Sequence, residues 1–274
     1  MFSKTLTAAL AAFIVSGLAG RAAAGPFPDK NLEEAVRAVL QEPKGELTDA
    51  KLNDVFILET AKEVRNLQGL EKCKNLSQLK ATKGQIADLT PLKGLSNLQS
   101  LDLSDNKITD VTPLAGLTKL QFLELSNNQV TKVDPLTKLV NLSALYLSGN
   151  KISDIGPLAS LTKLSSLLLG HNQIKDISVL TKVTKISTLD LENNQVDNLT
   201  PLTKQTELSI LMLKNNKLAD LGPLVTMCKA DAEGQKRFAP YLRLYLEGNP
   251  LSEAAKSKQL PELKGYGVRV NPKD

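Results

Sequence analysis

Leucines at alternate positions, such as Leu101 with Leu103, recur along the chain with an asparagine three residues past the second leucine. The asparagines Asn106, Asn128, Asn150, Asn172, Asn194 and Asn216 stand 22 residues apart. Seven positions past each comes Pro113, Pro135, Pro157, Val179, Pro201 or Pro223. A fixed period of this size predicts stacked supersecondary units and outranks any residue-by-residue assignment.

Within each unit the triplets ending at Leu103, Leu125, Leu147, Leu169, Leu191 and Leu213 alternate in the period of two that a short strand requires, with leucines to one side and the intervening residue to the other. One unit is too small to bury its own leucines. Neighbours must therefore stack, pairing their strands in parallel and sharing one core, with each buried leucine contributing roughly 1.5 to 3 kcal/mol. The asparagine follows the strand where the chain turns away, and its amide offers donors and an acceptor to backbone groups that the ladder leaves unpaired. Thr90-Pro91, Thr112-Pro113, Asp134-Pro135, Gly156-Pro157, Ser178-Val179, Thr200-Pro201 and Gly222-Pro223 then place an N-cap residue before the first helical position, where proline is tolerated. Asp88, Asp110, Asp154, Asp176 and Asp220, just ahead of these pairs, are expected to bond nearby backbone rather than a metal.

Over roughly residues 61 to 250 the pattern Leu-x-x-Leu-x-Leu-x-x-Asn-x-Ile-x-Asp-Ile-x-Pro-Leu resembles the leucine-rich repeat family. It is closest to the 22-residue class of bacterial internalin-like proteins and a eukaryotic phosphatase-regulatory subunit. The expected fold is an α/β leucine-rich repeat solenoid, with a parallel sheet on the concave face, short helical turns on the convex face and a helical N-terminal cap. The resemblance implies a non-enzymatic protein that binds a protein or cell-envelope ligand on its concave face. An envelope scaffold without a specific partner and an exported enzyme or enzyme inhibitor are the alternatives.

The flanks complete this layout. Residues 1 to 24 read as a secretory signal, with Lys4, the apolar run from Leu6 to Gly20 and Ala22-Ala23-Ala24 before Gly25. The mature chain is expected to be secreted or periplasmic, and no second long apolar run supplies a transmembrane anchor. Residues 25 to 60 are expected to form the N-terminal cap: an amphipathic helix with Leu32, Ala35, Val36, Val39 and Leu40 on one face and Asn31 with Glu34 as a capping pair, then a second short helix from Thr48. The repeats, about eight after a degenerate first one, run from 61 to 250, and a C-terminal cap occupies 251 to 274, with a helix from near Ser252 and a strand in "YGVRV". The interval from Asn216 to Asn249 is 33 residues, which places an insertion near 226 to 237 that lengthens the convex side.

A content of 42% hydrophobic residues with only 4% aromatic ones and no tryptophan suits a core built from leucine. The net charge of +5 falls to +3 once residues 1 to 24, with Lys4 and Arg21 and no acid, are removed. Lys119, Lys163 and Lys185 line up on a flank, but acids intersperse the rest and no basic run carries interleaved aromatics, so nucleic acid is not an expected partner. The cysteines of an exported protein ordinarily pair. Here Cys73 holds a core leucine position and Cys228 lies about seven repeats away, or roughly 33 Å at one strand spacing per repeat, so both are expected to be free thiols.

Catalysis finds little support. The single histidine, His171, has no second histidine and no nearby cysteine from which to build a metal site or nucleophile pair, and Asp102 beside Glu124 has no pocket-forming loops around it. No cofactor is expected, and the chain is expected to be a monomer.

The candidate site follows from the strand residues that point away from the core. One column reads Lys80, Asp102, Glu124, Tyr146, Leu168, Asp190, Met212 and Tyr245, and the other Gln78, Ser100, Phe122, Ala144, Ser166, Thr188, Ile210 and Arg243. Phe122, Tyr146, Leu168, Ile210 and Met212 are expected to form an apolar stripe, rimmed by Asp102, Glu124 and Asp190, with Tyr245 at its far end.

Overall fold

A computed structural model of the chain describes residues 25–272, so the expected leader at 1 to 24 lies outside the described residues. One open sheet holds ten strands in chain order: β1 (Ile57–Glu59), β2 (Gln78–Lys80), β3 (Ser100–Asp102), β4 (Phe122–Glu124), β5 (Ala144–Tyr146), β6 (Ser166–Leu168), β7 (Thr188–Asp190), β8 (Ile210–Met212), β9 (Arg243–Tyr245) and β10 (Arg269–Val270). Each is parallel to its neighbour, and the middle residues pair leucine to leucine from Leu58 and Leu79 onward to Leu211 and Leu244. Those leucines are fully buried, and together with the apolar residues of the turns they form one continuous core along the whole solenoid.

The asparagine ladder forms as expected. Asn150 is buried, accepts on Oδ1 from the Val130 N–H at 2.9 Å, and donates from Nδ2 to the carbonyls of Leu125 at 2.9 Å and Leu147 at 3.0 Å. Asn106, Asn128, Asn172, Asn194 and Asn216 repeat these bonds one turn apart. Each asparagine thus joins two successive repeats as well as closing its own turn. The residue before it has left-handed backbone: Asp105, Asn127, His171, Asn193 and Asn215 all have φ between 52° and 57°, and Gly149 has 68°. Asn, Asp, His and Gly tolerate that region best, which accounts for the single histidine as a turn residue.

The convex side is made of 3-10 turns, among them Thr112–Gly116, Asp134–Lys138 and Gly156–Ser160. The residue before proline does not act as a side-chain cap, contrary to the sequence reading. It is already the first residue of the turn, and no side-chain cap bond is made. Where an aspartate stands two positions earlier it accepts this N–H instead, as Asp110 does from Thr112 and Asp154 from Gly156, both at 2.8 Å. The aspartates are thus turn formers, as expected.

At the N-terminal end α1 (Lys30–Leu40) packs against β1, followed by the single turn α2 (Asp49–Leu52), which Thr48 caps. The cap of α1 is Asp29 rather than the Asn31 and Glu34 pair. Asp29 Oδ1 accepts from the N–H groups of Asn31 and Leu32, while Oδ2 accepts from those of Arg65 and Asn66. Asn31 and Glu34 instead reach Glu63 and Lys62.

The insertion is a twelve-residue helix, α3 (Gly222–Glu233), on the convex side. Asp231 turns the chain back by accepting from the N–H groups of Arg237, Phe238 and Ala239 at 3.0 to 3.1 Å. After β9 come a π-helical turn, Ala255–Gln259, and α4 (Leu260–Gly265), leading to β10. Gln259 ties this segment to the repeats by accepting from the Leu221 N–H at 2.8 Å. Cys73 and Cys228 are buried free thiols, and burial pushes the Cys73 thiol up to about 12. No helix among the described residues is long and apolar enough to cross a membrane.

Candidate functional site

The sheet register places the two outward columns side by side. Asp102, Glu124, Tyr146, Leu168, Asp190, Met212 and Tyr245 are successive partners in one row, and Ser100, Phe122, Ala144, Ser166, Thr188, Ile210 and Arg243 in the next. Strand spacing fixes consecutive members about 4.8 Å apart. All nine candidate residues, Asp102, Phe122, Glu124, Tyr146, Leu168, Asp190, Ile210, Met212 and Tyr245, are partly exposed on this face.

The apolar stripe is not continuous. Phe122, Tyr146 and Leu168 sit on the adjacent strands β4 to β6, and the rings of Phe122 and Tyr146 meet edge to face with centroids 5.4 Å apart. Ser166 donates to the Tyr146 hydroxyl at 3.4 Å. Strand β7 then interrupts with Thr188 and Asp190, and Ile210 and Met212 form a second, smaller patch on β8. Tyr245 lies beyond this patch under the Lys214 amine, 5.3 Å from its centroid, and that amine also pairs with Glu247 at 2.7 Å.

The carboxylates are held by their own backbone. Asp102 accepts from the Ser104 N–H and hydroxyl, Glu124 from the Ser126 N–H at 2.7 Å, and Asp190 from the Glu192 N–H at 2.8 Å. Burial pushes the Glu124 and Asp190 carboxyls above the usual carboxylate value, more than these N–H donors hold them down. Asp190 has room because the residue beside it is Gly170, where the neighbouring repeats have Ser148 and Glu192. The sequence reading missed this partnership, although the departure from serine was visible in the repeat alignment.

His171 lies in its turn with Nε2 3.2 Å from the Asn193 amide, away from any cysteine or second histidine. Among the described residues no group of three or more His, Cys, Asp or Glu side chains is placed to hold a metal ion.

The family model for leucine-rich repeats (2 copies) matches in five overlapping windows between residues 74 and 204. A search of curated proteins finds no match. Among solved structures, internalin C2 from Listeria monocytogenes is 36% identical, with a TM-score of 0.72, covering 74% of this chain and 91% of its own. An internalin, InlF, from the same organism is 30% identical, with a TM-score of 0.69, covering 91% and 78%. The plant peptide hormone receptor RGFR1, solved in complex with RGF2, is 23% identical over 67% of this chain and 34% of its own, with a TM-score of 0.54, and shares the fold alone. At these identities and coverages, this chain belongs to the internalin-like leucine-rich repeat proteins.

Proposed function

We propose that this chain is an exported, non-catalytic binding protein that holds a protein or other cell-envelope ligand on the concave face of its sheet. One observation carries the reading: Phe122, Tyr146 and Leu168, on three adjacent strands, present apolar surface outward where the core needs only the leucines between them. Cross-strand packing favours such neighbours to some degree. An apolar patch left facing solvent with acids around it has the composition of an interaction site. The same fold holds a partner in the plant receptor complex.

Export rests on the leader at residues 1 to 24, with the mature chain beginning at Gly25 and secreted or periplasmic. The non-catalytic reading is supported by the engagement of the candidate groups elsewhere: Asp102 and Glu124 each accept from backbone N–H groups, and His171 serves a turn.

The test is affinity capture from the envelope fraction of the native host. Wild type is expected to retain one saturable partner, and a Tyr146→Ala, Leu168→Ser double variant is expected to lose it while keeping its circular dichroism and melting temperature. Capture of that partner with unchanged affinity by the variant would remove the concave face from the role. A wild type that captures nothing saturably would favour the scaffold alternative.

A further inference from the structure

Charge is segregated along the concave face. Toward the ends of the sheet Lys80 pairs with Glu59 at 3.0 Å and Lys214, just past β8, with Glu247 at 2.7 Å, while Arg243 stands on β9 outside the acidic stretch. Between them, the outward positions of β3 to β7 carry Asp102, Glu124 and Asp190 and no lysine or arginine, although the chain as a whole has 34 cations against 29 acids. Among the described residues none of these three carboxylates belongs to an ion pair within 4.0 Å.

The acids alternate with the apolar patch. Glu124 is the register partner of Tyr146, and Asp190 that of Leu168. Glu124 and Asp190 are therefore three strand spacings apart, about 14 Å, with Tyr146 and Leu168 between them. An extended polypeptide advances about 3.4 Å per residue and turns every second side chain to the same face. Residues i and i+4 of an extended segment thus reach both carboxylates from one side, while residue i+2 covers the apolar surface. Arginine and lysine fit the outer positions, since their methylene stems cover apolar surface while the charged head meets a carboxylate, and an aromatic face beside the acid adds to the attraction.

We propose that the occupant of this face is an extended polypeptide segment of the form cation-x-apolar-x-cation. It lies across the strands with its two cationic heads at Glu124 and Asp190 and its central side chain on Tyr146 and Leu168. The proposal rests on the concave-face reading given above and names the partner's chemistry. Burial, which already raises both carboxyls, leaves them poised to gain from an arriving cation.

Three immobilised synthetic peptides test it, with Arg-Ser-Leu-Ser-Arg as the core of the first and glutamine or glutamate replacing both arginines in the others. The mature protein is expected to bind the arginine peptide roughly tenfold more tightly than the glutamine one, with the glutamate peptide weakest and the preference shrinking as salt rises. A Glu124→Gln, Asp190→Asn variant, which keeps the acceptor oxygens for Ser126 and Glu192, is expected to erase the preference with a melting temperature no lower than that of wild type. Equal binding of the arginine and glutamine peptides, binding of none of them, or a preference that survives in the carboxamide variant overturns the proposal. Envelope capture separates this failure from failure of the concave reading. A partner lost by Tyr146→Ala, Leu168→Ser but kept at full affinity by the carboxamide variant leaves the site standing and its cationic occupant refuted. A partner kept by both removes the site itself.

Discussion

A Cβ placed on Gly170 would stand 2.5 Å from Oδ2 of Asp190. The glycine is therefore the space into which that carboxylate leans, and its backbone does not need left-handed geometry. In Gly170→Ala the carboxylate has to swing aside while the strand stays put. Stability is expected to change by less than about 1 kcal/mol, because Asp190 is flexible and the substitution also lowers the entropy of the unfolded chain. Binding of the arginine peptide is expected to weaken at the Asp190 end. A urea melt read beside the peptide titration separates the two effects.

Asn150→Ala is expected to cost roughly 2 to 3 kcal/mol, against a change within about 0.5 kcal/mol for Lys151→Ala. The asparagine serves the Val130 N–H and the carbonyls of Leu125 and Leu147 in buried surroundings, whereas the lysine is exposed. Equal midpoints for the two variants in urea would contradict the ladder's role in joining repeats.

Gln205 occupies the core column held by Leu117, Leu139 and Leu161 in earlier repeats, yet it is fully buried. In the preceding repeat Val179 replaces proline and the turn after it runs differently. The carbonyls of Leu180 and Val183 there accept from Gln205 Nε2, both at 2.8 Å, whereas those of Leu158 and Leu161 one repeat earlier accept from backbone N–H groups. Gln205→Leu restores the apolar column but strands those two carbonyls. A net loss of about 1 to 3 kcal/mol is expected by denaturation. A gain in stability would mean that the amide is dispensable.

Two aspartates should respond to pH in opposite directions. Burial alone would push the Asp231 carboxyl up, but the N–H groups of Ala239, Arg237 and Phe238, with the Arg237 charge, hold it below the usual value. A depressed folded value means stability present above the unfolded pKa, about 3.9, and lost as pH falls through the folded one. Asp231→Asn is therefore expected to be less stable than wild type at pH ~7, by roughly 1 to 3 kcal/mol, with the deficit closing in strong acid.

Asp190 is raised by burial, so its ionised form is the unfavourable one in the folded chain, and stability is lost as pH rises through its folded value. Asp190→Asn should therefore be more stable than wild type near neutrality and no better below the ordinary carboxylate range. Urea midpoints for both variants across that pH range give the two signs directly.

The solenoid, the strand register, the direction of every leucine column, the asparagine ladder and the free cysteines all follow from the order of residues along the chain. Each is a local rule repeated every 22 residues, so an offset in the chain is also an offset in space. The outward columns of the candidate site were legible for the same reason, and so was the stretch from Asp102 to Asp190 without a cation. The structure divided the expected stripe at β7 and placed Tyr245 under Lys214, because patches depend on which side chains neighbour one another across strands as well as on which way they point.

The contacts that break the period emerge from packing in three dimensions. Asp29 caps α1 and also holds Arg65 and Asn66, 36 and 37 residues on. Asp231 closes the insertion, and Gln205 mends the turn that lost its proline. No repeat spacing encodes these, since each side chain answers backbone groups left unpaired by a local departure, and which groups those are is settled once the chain around them has packed. The burial that raises Glu124 and Asp190 belongs to the same class: a sequence states that a carboxylate is present, and the packed neighbours decide how much water it keeps.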